Sequence, residues 1–142
     1  LDIEKVLGVI EKAREQKQGA LILVVDDDPG TCTTLKNILI KKGFRVGAAH
    51  TGEQAITAAK EENFDIIFID MKLPTLNGLE TYLGIKKICP TAVAVMMTAY
   101  RQEMSELVDQ AILNNAYTCL YKPLDMSTML TLISEIIARK ER

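Results

Sequence analysis

Short, continuous apolar runs alternate along this chain with longer segments in which apolar residues recur every three or four positions. The continuous runs have no regular polar face, which is typical of strands that are buried on both sides of a sheet. Five such strands are predicted, at Leu21 to Val25, Arg45 to Ala49, Asp65 to Ile69, Ala92 to Met97 and Tyr117 to Tyr121.

The segments between these runs have the apolar spacing of amphipathic helices. Asp28 and Pro29 suit the N-cap and first residue of a helix, and Gly43 suits a helix end. Asn114 and Asn115 close the fourth helix, where asparagine accepts a left-handed conformation. The alternation predicts an α/β fold, a doubly wound five-stranded parallel sheet with five helices on its two faces. The apolar positions that define the helices are Leu35, Ile38 and Leu39; Ala55, Ile56 and Ala59; Leu79, Leu83 and Ile85; Met104, Leu107, Val108 and Ala111; and Met129, Leu132, Ile133 and Ile136.

A further amphipathic segment, Leu1 to Gln18, precedes the first strand, with Ile3, Val6, Ile10 and Ala13 at helical spacing. We expect an N-terminal helix and linker over residues 1–19, followed by one domain over residues 20–142. The segment is too short to define a coiled coil. Two interpretations therefore stay open, a plain amphipathic helix or linker and a helix that forms a homodimer or carries a signal.

Composition narrows the class of protein. The 142 residues carry a formal net charge of −2, and direct nucleic-acid binding normally needs an excess of clustered cations, so it is not expected. No apolar run approaches the roughly 20 residues that span a bilayer, so membrane insertion is not expected either. The three cysteines are far apart in the sequence, which indicates neither a zinc site nor a disulfide framework and favours a reducing, cytoplasmic location.

Polar side chains stand at the carboxyl ends of four predicted strands. Asp26 and Asp27 end the first strand and Asp70 the third, while Thr98 and Lys122 end the fourth and fifth. Ligands bind at this edge of a doubly wound sheet, where these four strands can lie side by side. Clustered carboxylates repel one another unless a divalent cation that prefers oxygen ligands neutralises them. The pattern predicts a site for Mg²⁺, or for Mn²⁺ in its place.

An aspartate carboxylate in such a site is a nucleophile towards phosphorus and forms an aspartyl phosphate. The metal on one side and Lys122 on the other would neutralise the phosphoryl oxygens. Thr98 would donate a hydrogen bond to a phosphoryl oxygen only after the group has arrived. A contact that depends on phosphorylation in this way makes a switch.

Four segments carry a resemblance to a known family, in the order VVDDDPG, IDMKLPTLNG, MMTAY and LYKPL. Over about Ala20 to Lys140 the chain resembles the receiver domains of bacterial response regulators. The resemblance implies a flavodoxin-like fold and a self-phosphorylating signalling switch rather than a turnover enzyme. It implies a histidine kinase or histidine phosphotransfer protein as phosphoryl donor. His50 lacks the neighbours of a kinase phosphorylation box, so the donor is expected elsewhere.

The resemblance also implies a role for each site residue. Asp70 is the expected phosphoacceptor, and Thr98 and Lys122 take the family's switch and cation positions. The peptide bond between Lys122 and Pro123 is expected to be cis, since only bonds that precede proline become cis at low cost. The expected metal ligands are the carboxylates of Asp26, Asp27 and Asp70 and the main-chain carbonyl of Lys72.

The chain departs from the family at Cys119, where receivers usually carry a Tyr or Phe whose ring turns inward as the threonine moves. Tyr117 and Tyr121 share the strand face of Cys119 by the two-residue period, but at other positions. A benign substitution, an altered output surface and a stand-alone phosphate carrier all stay open. Lys72 and Tyr100 occupy variable positions that influence phosphoryl hydrolysis in the family. A cation and a ring there predict a comparatively long-lived phosphorylated state.

Three other classes of protein share parts of the pattern. Aspartyl-phosphate phosphatases of the haloacid dehalogenase type need a second Asp two residues after the nucleophile, where this chain has Lys72. A flavin-binding electron carrier would cradle phosphate beside Thr31, Thr33 and Thr34, but the three preceding carboxylates would repel that phosphate. A phosphorylation-independent docking module is the third alternative, and the complete set of strand-end polar residues argues against it.

Overall fold

Strands and helices alternate five times over residues 19–141, the part of the chain that this computed structural model describes. The predicted helix at residues 1–18 lies outside the described residues. The strands are β1 (Leu21–Val25), β2 (Arg45–Ala49), β3 (Ile66–Asp70), β4 (Val93–Thr98) and β5 (Thr118–Tyr121). The helices are α1 (Pro29–Lys41), α2 (Gly52–Glu61), α3 (Gly78–Ile88), α4 (Ser105–Leu113) and α5 (Met126–Lys140).

All five strands are parallel and form one sheet in the order β2-β1-β3-β4-β5. This doubly wound arrangement confirms the predicted fold class. β3 and β4 each begin and end one residue later than predicted, so Asp70 and Thr98 are the last residues of their strands. Asp70 pairs with Met97 in register, and Thr98 pairs with Tyr121. The polar ends of β1, β3, β4 and β5 therefore lie along one edge of the sheet.

The sheet is covered on both faces, which explains why its central strands are apolar throughout. Ile66 and Phe68 of β3 pack with α1 and α5 on one face. Ile67 and Ile69 of the same strand pack with α2, α3 and α4 on the other. No helix within residues 19–141 combines the length and the apolar character that crossing a bilayer requires.

The predicted helix ends are confirmed by local hydrogen bonds and backbone angles. Asp28 caps α1, because its carboxylate accepts a hydrogen bond from the main-chain N–H of Gly30 at 3.0 Å, and Pro29 begins the helix. Gly43 follows α1 with φ 95° and Asn115 follows α4 with φ 74°. Both residues adopt the left-handed conformation that ends a helix.

Candidate functional site

Three carboxylates meet at the carboxyl ends of β1 and β3, which are neighbours in the sheet. One oxygen from each of Asp26, Asp27 and Asp70 lies within 4.8 Å of the others. Asp26 and Asp70 are only 1% and 6% exposed, whereas Asp27 is exposed. The convergence of these residues, separated by more than one strand and helix in the sequence, follows the prediction. Asp27 marks the side of the cluster that is open to solvent.

Lys122 links two of these carboxylates. Its Nζ lies 2.6 Å from Asp26 Oδ2 and 2.8 Å from Asp70 Oδ2. Its main-chain N–H donates to the carbonyl of Thr98 at 2.8 Å, and its bond to Pro123 is cis, as predicted. Lys122 was predicted to lie on the side of Asp70 opposite the metal, and its contact with Asp26 was not predicted. Two buried carboxylates attract the same ammonium, so Lys122 sits between them.

Burial and neighbouring charges shift the pKa values of Asp70 and Lys122 in this cluster. Burial raises the pKa of Asp70 above its ordinary value, against the hydrogen bonds from Lys122 and from the main chain of Lys72. Burial alone would lower the pKa of Lys122, but the hydrogen bonds and charges of Asp26 and Asp70 outweigh it and raise that pKa. Lys122 is therefore held as a cation beside Asp70 and offsets part of the cost of burying its carboxylate.

The loops after β3 and β4 meet beside Asp70. The main-chain N–H of Lys72 donates to Asp70 Oδ1 at 3.0 Å, while its Nζ lies 3.3 Å from Glu103 Oε1 and 4.2 Å from the centroid of the Tyr100 ring. Thr98 is fully buried, and its Oγ1 accepts a hydrogen bond from the N–H of Tyr100 at 2.9 Å. The contact between Lys72 and Glu103 was not predicted. The two residues are 31 positions apart, and the sequence alone does not indicate which acidic residue pairs with an exposed lysine.

Cys119 lies in a mixed environment next to this loop. It is half-buried against the core that β5 shares with α4, and burial raises the pKa of its thiol. The guanidinium carbon of Arg101 lies 3.6 Å from the ring centroid of Tyr121. Tyr117 packs against the opposite face of the sheet. The prediction that it shares the face of Cys119 is wrong, because β5 begins only at Thr118 and the alternation holds only within the strand.

The acidic cluster fits a divalent cation. Ligands that lie 2.0 to 2.6 Å from one cation are at most about 5 Å apart, and the three carboxylate oxygens fall within 4.8 Å. Carboxylate oxygens are also the donors that hard cations such as Mg²⁺ prefer. Lys122 contacts Oδ2 of Asp26, and the main-chain N–H of Asp28 donates to the other oxygen, Oδ1, at 2.9 Å. These two contacts fix the orientation of the Asp26 carboxylate. The residues present are therefore suited to hold the predicted metal.

Comparison with known sequences gives a family for this arrangement. The profile described as the response regulator receiver domain matches residues 22–134. The transcriptional regulatory protein ZraR of Klebsiella oxytoca is 36% identical over 117 residues, which cover 82% of this chain and 26% of ZraR. The chemotaxis protein CheY of Thermotoga maritima is 31% identical over 119 residues, which cover 83% of this chain and 98% of CheY. The chain thus spans about a quarter of ZraR and nearly all of CheY.

Solved structures agree with these sequence matches. A response regulator from Burkholderia pseudomallei, solved with a phosphorylated aspartic acid, a calcium ion and citrate, has a TM-score of 0.72 and 28% identity and covers 84% of this chain and 72% of its own. TrrA of Thermotoga maritima, solved in complex with Mg²⁺ and BeF, has a TM-score of 0.71 and 28% identity and covers 82% of this chain and 97% of its own. With its flavodoxin-like fold and its profile match, this chain belongs to the family of response regulator receiver domains.

Proposed function

We propose that this chain accepts a phosphoryl group on Asp70 in a two-component phosphorelay and thereby switches a partner-binding face, acting as a switch rather than as a turnover enzyme. The observation that carries the proposal is the position of Asp70 at the end of a central strand, where one carboxylate oxygen lies within 4.8 Å of oxygens of Asp26 and Asp27 and Oδ2 lies 2.8 Å from the ammonium of Lys122. The phosphorylated aspartate of the Burkholderia relative and the Mg²⁺ and BeF of TrrA support the same role.

In the proposed reaction, a carboxylate oxygen of Asp70 attacks the phosphorus of a phosphohistidine on a histidine kinase or histidine phosphotransfer protein. The new O–P bond forms as the P–N bond breaks, and the released imidazole nitrogen takes up a proton from solvent. Lys122, already 2.8 Å from Asp70 Oδ2, is placed to bind a phosphoryl oxygen. The N–H of Lys72 holds Oδ1 at 3.0 Å, which orients the carboxylate for attack.

The reaction is proposed to depend on a divalent cation, Mg²⁺ or alternatively Mn²⁺. Asp26, Asp27 and Asp70 would hold it through carboxylate oxygens, and the main-chain carbonyl of Lys72 is the fourth proposed ligand. When bound, the cation neutralises charge on the oxygens of the transferring group. Asp26 of the acidic pair is buried and Asp27 is exposed, so the pair combines a ligand fixed in the interior with a ligand that the cation reaches from solvent.

The proposed switch begins at Thr98, whose buried hydroxyl would donate to a phosphoryl oxygen. The helix that follows is held unequally at its two ends. Its N-cap residue, Met104, makes no side-chain hydrogen bond to the first turn, whereas Tyr82 and Lys86 both donate to the carbonyl of Asn114 at its far end, each at 2.6 Å. Movement of Thr98 would therefore displace mainly the N-terminal end of α4. The face formed by α4 and β5 would then change its affinity for partners.

The proposal is tested by incubating the 142-residue chain with acetyl phosphate and measuring its intact mass, with Mg²⁺ and with EDTA. We expect the mass of one phosphoryl group to be added only when Mg²⁺ is present, in a bond that survives acid and breaks in base. No adduct under any divalent cation would contradict the proposal and favour the alternative, a phosphorylation-independent docking module.

We also predict a phosphorylated state that lasts for minutes or longer. Lys72 lies against Tyr100 and Glu103 beside Asp70, and this cation and ring would limit the access of water to a phosphoryl group on Asp70. Lys72→Ala removes the side chain and keeps the main-chain N–H. Its dephosphorylation should be faster by about two- to fivefold, the ratio expected from an exposed cation–π contact.

Loss of the adduct over time, measured by intact mass, checks this prediction. Lys60→Ala is the control, because Lys60 is an exposed lysine at the end of α2. A native half-life of seconds, or equal rates in the two variants, would contradict the protective role of Lys72.

A further inference from the structure

Arg101 and Tyr121 form a close contact between the loop that follows β4 and the last residue of β5. The guanidinium carbon of Arg101 lies 3.6 Å from the centroid of the Tyr121 ring, within the range of a cation–π interaction. We call this pair the Arg101–Tyr121 stack. Tyr121 is also the register partner of Thr98. The stack therefore holds the loop that begins at Thr98 against the strand that ends beside Lys122.

The same loop is held on its other side by the loop that follows β3. Lys72 Nζ lies 4.2 Å from the ring centroid of Tyr100 and 3.3 Å from Glu103. Tyr100 therefore contacts Lys72, in the loop after β3. The next residue, Arg101, contacts Tyr121 at the end of β5. Because β4 lies between β3 and β5 in the sheet, a displacement of this loop towards Asp70 on β3 would draw Arg101 away from Tyr121 on β5.

The stack also lies next to the thiol of Cys119, two residues before Tyr121 on the same strand. Residues two apart on a strand lie on the same face, so the side chain of Tyr121 lies beside that of Cys119. Arg101 lies over the Tyr121 ring at 3.6 Å, next to the same face of the strand. Cys32 and Cys89, by contrast, are 2% and 3% exposed in the core. Cys119 is the half-exposed cysteine within the described residues, and the stack is the neighbouring group on its side of the strand.

We propose that the Arg101–Tyr121 stack is the latch by which the α4 and β5 face of this chain responds to the state of Asp70, in place of an aromatic side chain at position 119. The inference rests on the proposed phosphorylation of Asp70. Thr98 Oγ1 now accepts a hydrogen bond from the N–H of Tyr100 at 2.9 Å. Drawing Oγ1 towards a phosphoryl group on Asp70 breaks this turn. Arg101 then leaves Tyr121, and the thiol of Cys119 becomes accessible.

The test measures alkylation of Cys119 by iodoacetamide, quantified by peptide mass spectrometry, with the buried Cys32 and Cys89 as internal references. The native chain is labelled with Mg²⁺ alone and with Mg²⁺ and beryllofluoride, while fluorine NMR reports independently whether beryllofluoride is bound. We expect bound beryllofluoride to accelerate labelling of Cys119 by about two- to fivefold, the population change that an exposed cation–π contact supports. Labelling of the two reference cysteines should stay constant.

Two variants separate the latch from a general effect of removing an arginine. Arg101→Gln should label at the faster rate without beryllofluoride and should respond little when it is added. Arg139→Gln is the matched control, because Arg139 lies 5.2 Å from the ring centroid of Tyr117 in a second Arg–Tyr pair. This control should label like the native chain in both states.

Each outcome decides between the inference and the function on which it rests. If beryllofluoride binds and the labelling of Cys119 does not change, the latch is excluded while the proposed function stands. Native-like labelling of Arg101→Gln also excludes the latch, since Cys119 is then covered by something else. If beryllofluoride does not bind, the proposed phosphorylation of Asp70 fails, and the latch fails with it.

Discussion

Asp70→Asn is expected to abolish the Mg²⁺-dependent phosphoryl adduct, with a loss of at least about a hundredfold, because removing one group that reacts directly has effects of this size or larger. The amide keeps the size of the side chain but has no anionic oxygen to attack phosphorus. It also removes one of the three carboxylates from the acidic cluster. Intact mass after incubation with acetyl phosphate and Mg²⁺ measures the result directly.

Asp28→Asn is the matched control for this experiment. Asp28 is an exposed carboxylate close to the acidic pair in the sequence, and it caps α1 through Gly30. Asparagine is an equally good N-cap, so this variant should fold and should form the adduct at the native level. An adduct that persists in Asp70→Asn would place the phosphoryl group on another residue and contradict the assignment of Asp70.

Lys122→Met is expected to lower the free energy of unfolding at about pH 7 by about 3 to 5 kcal/mol in the absence of metal, the range for removing one partner of a buried ion pair. Asp26 and Asp70 are almost fully buried, and Lys122 is the cation in contact with both. Methionine fills a similar volume but leaves two carboxylates facing each other without a compensating charge. Chemical denaturation in EDTA measures the difference from the native chain.

The stability deficit of Lys122→Met, which is the native free energy of unfolding minus that of the variant, should depend on pH. Burial already raises the pKa of Asp70 in the native chain, and removing the nearby ammonium raises it further. A raised carboxyl pKa in the folded state means that protonation favours folding, so the deficit should shrink as the pH falls through that pKa. It should also shrink in alkali. The loss begins above the ordinary lysine pKa of 10.5, where the unfolded chain gives up the Lys122 proton, and is complete only above the raised pKa at which the folded native chain loses its own cation.

Lys72→Met is the control for this second experiment. Lys72 and Glu103 are 47% and 55% exposed, and an exposed ion pair contributes about 0 to 1 kcal/mol. Mg²⁺ should restore part of the stability of Lys122→Met by binding the same carboxylates in the folded state. Equal stability of Lys122→Met and Lys72→Met, or a deficit that does not change with pH, would show that Lys122 does not compensate the buried charges.

Much of the fold and the outline of the site were predictable, because they depend on signals that are local in the sequence. The apolar runs gave all five strands to within one residue at each end, since a strand buried on both faces excludes polar residues. Asp28, Pro29 and Asn115 marked helix ends by their own conformational preferences. The convergence of Asp26 and Asp70 followed from the rule that parallel strands share one carboxyl edge.

The tertiary structure alone decided which charged and aromatic side chains contact one another. Lys122 meets Asp26 across 96 positions of sequence, and Arg101 lies on Tyr121 while Lys72 binds Glu103. The face of the sheet against which Tyr117 packs was likewise decided by the start of β5, which is one residue later than the apolar pattern indicated. Apolar periodicity assigns a residue to a face of an element, but a side-chain contact depends on strand order, loop path and rotamer together, and no local pattern encodes those three at once.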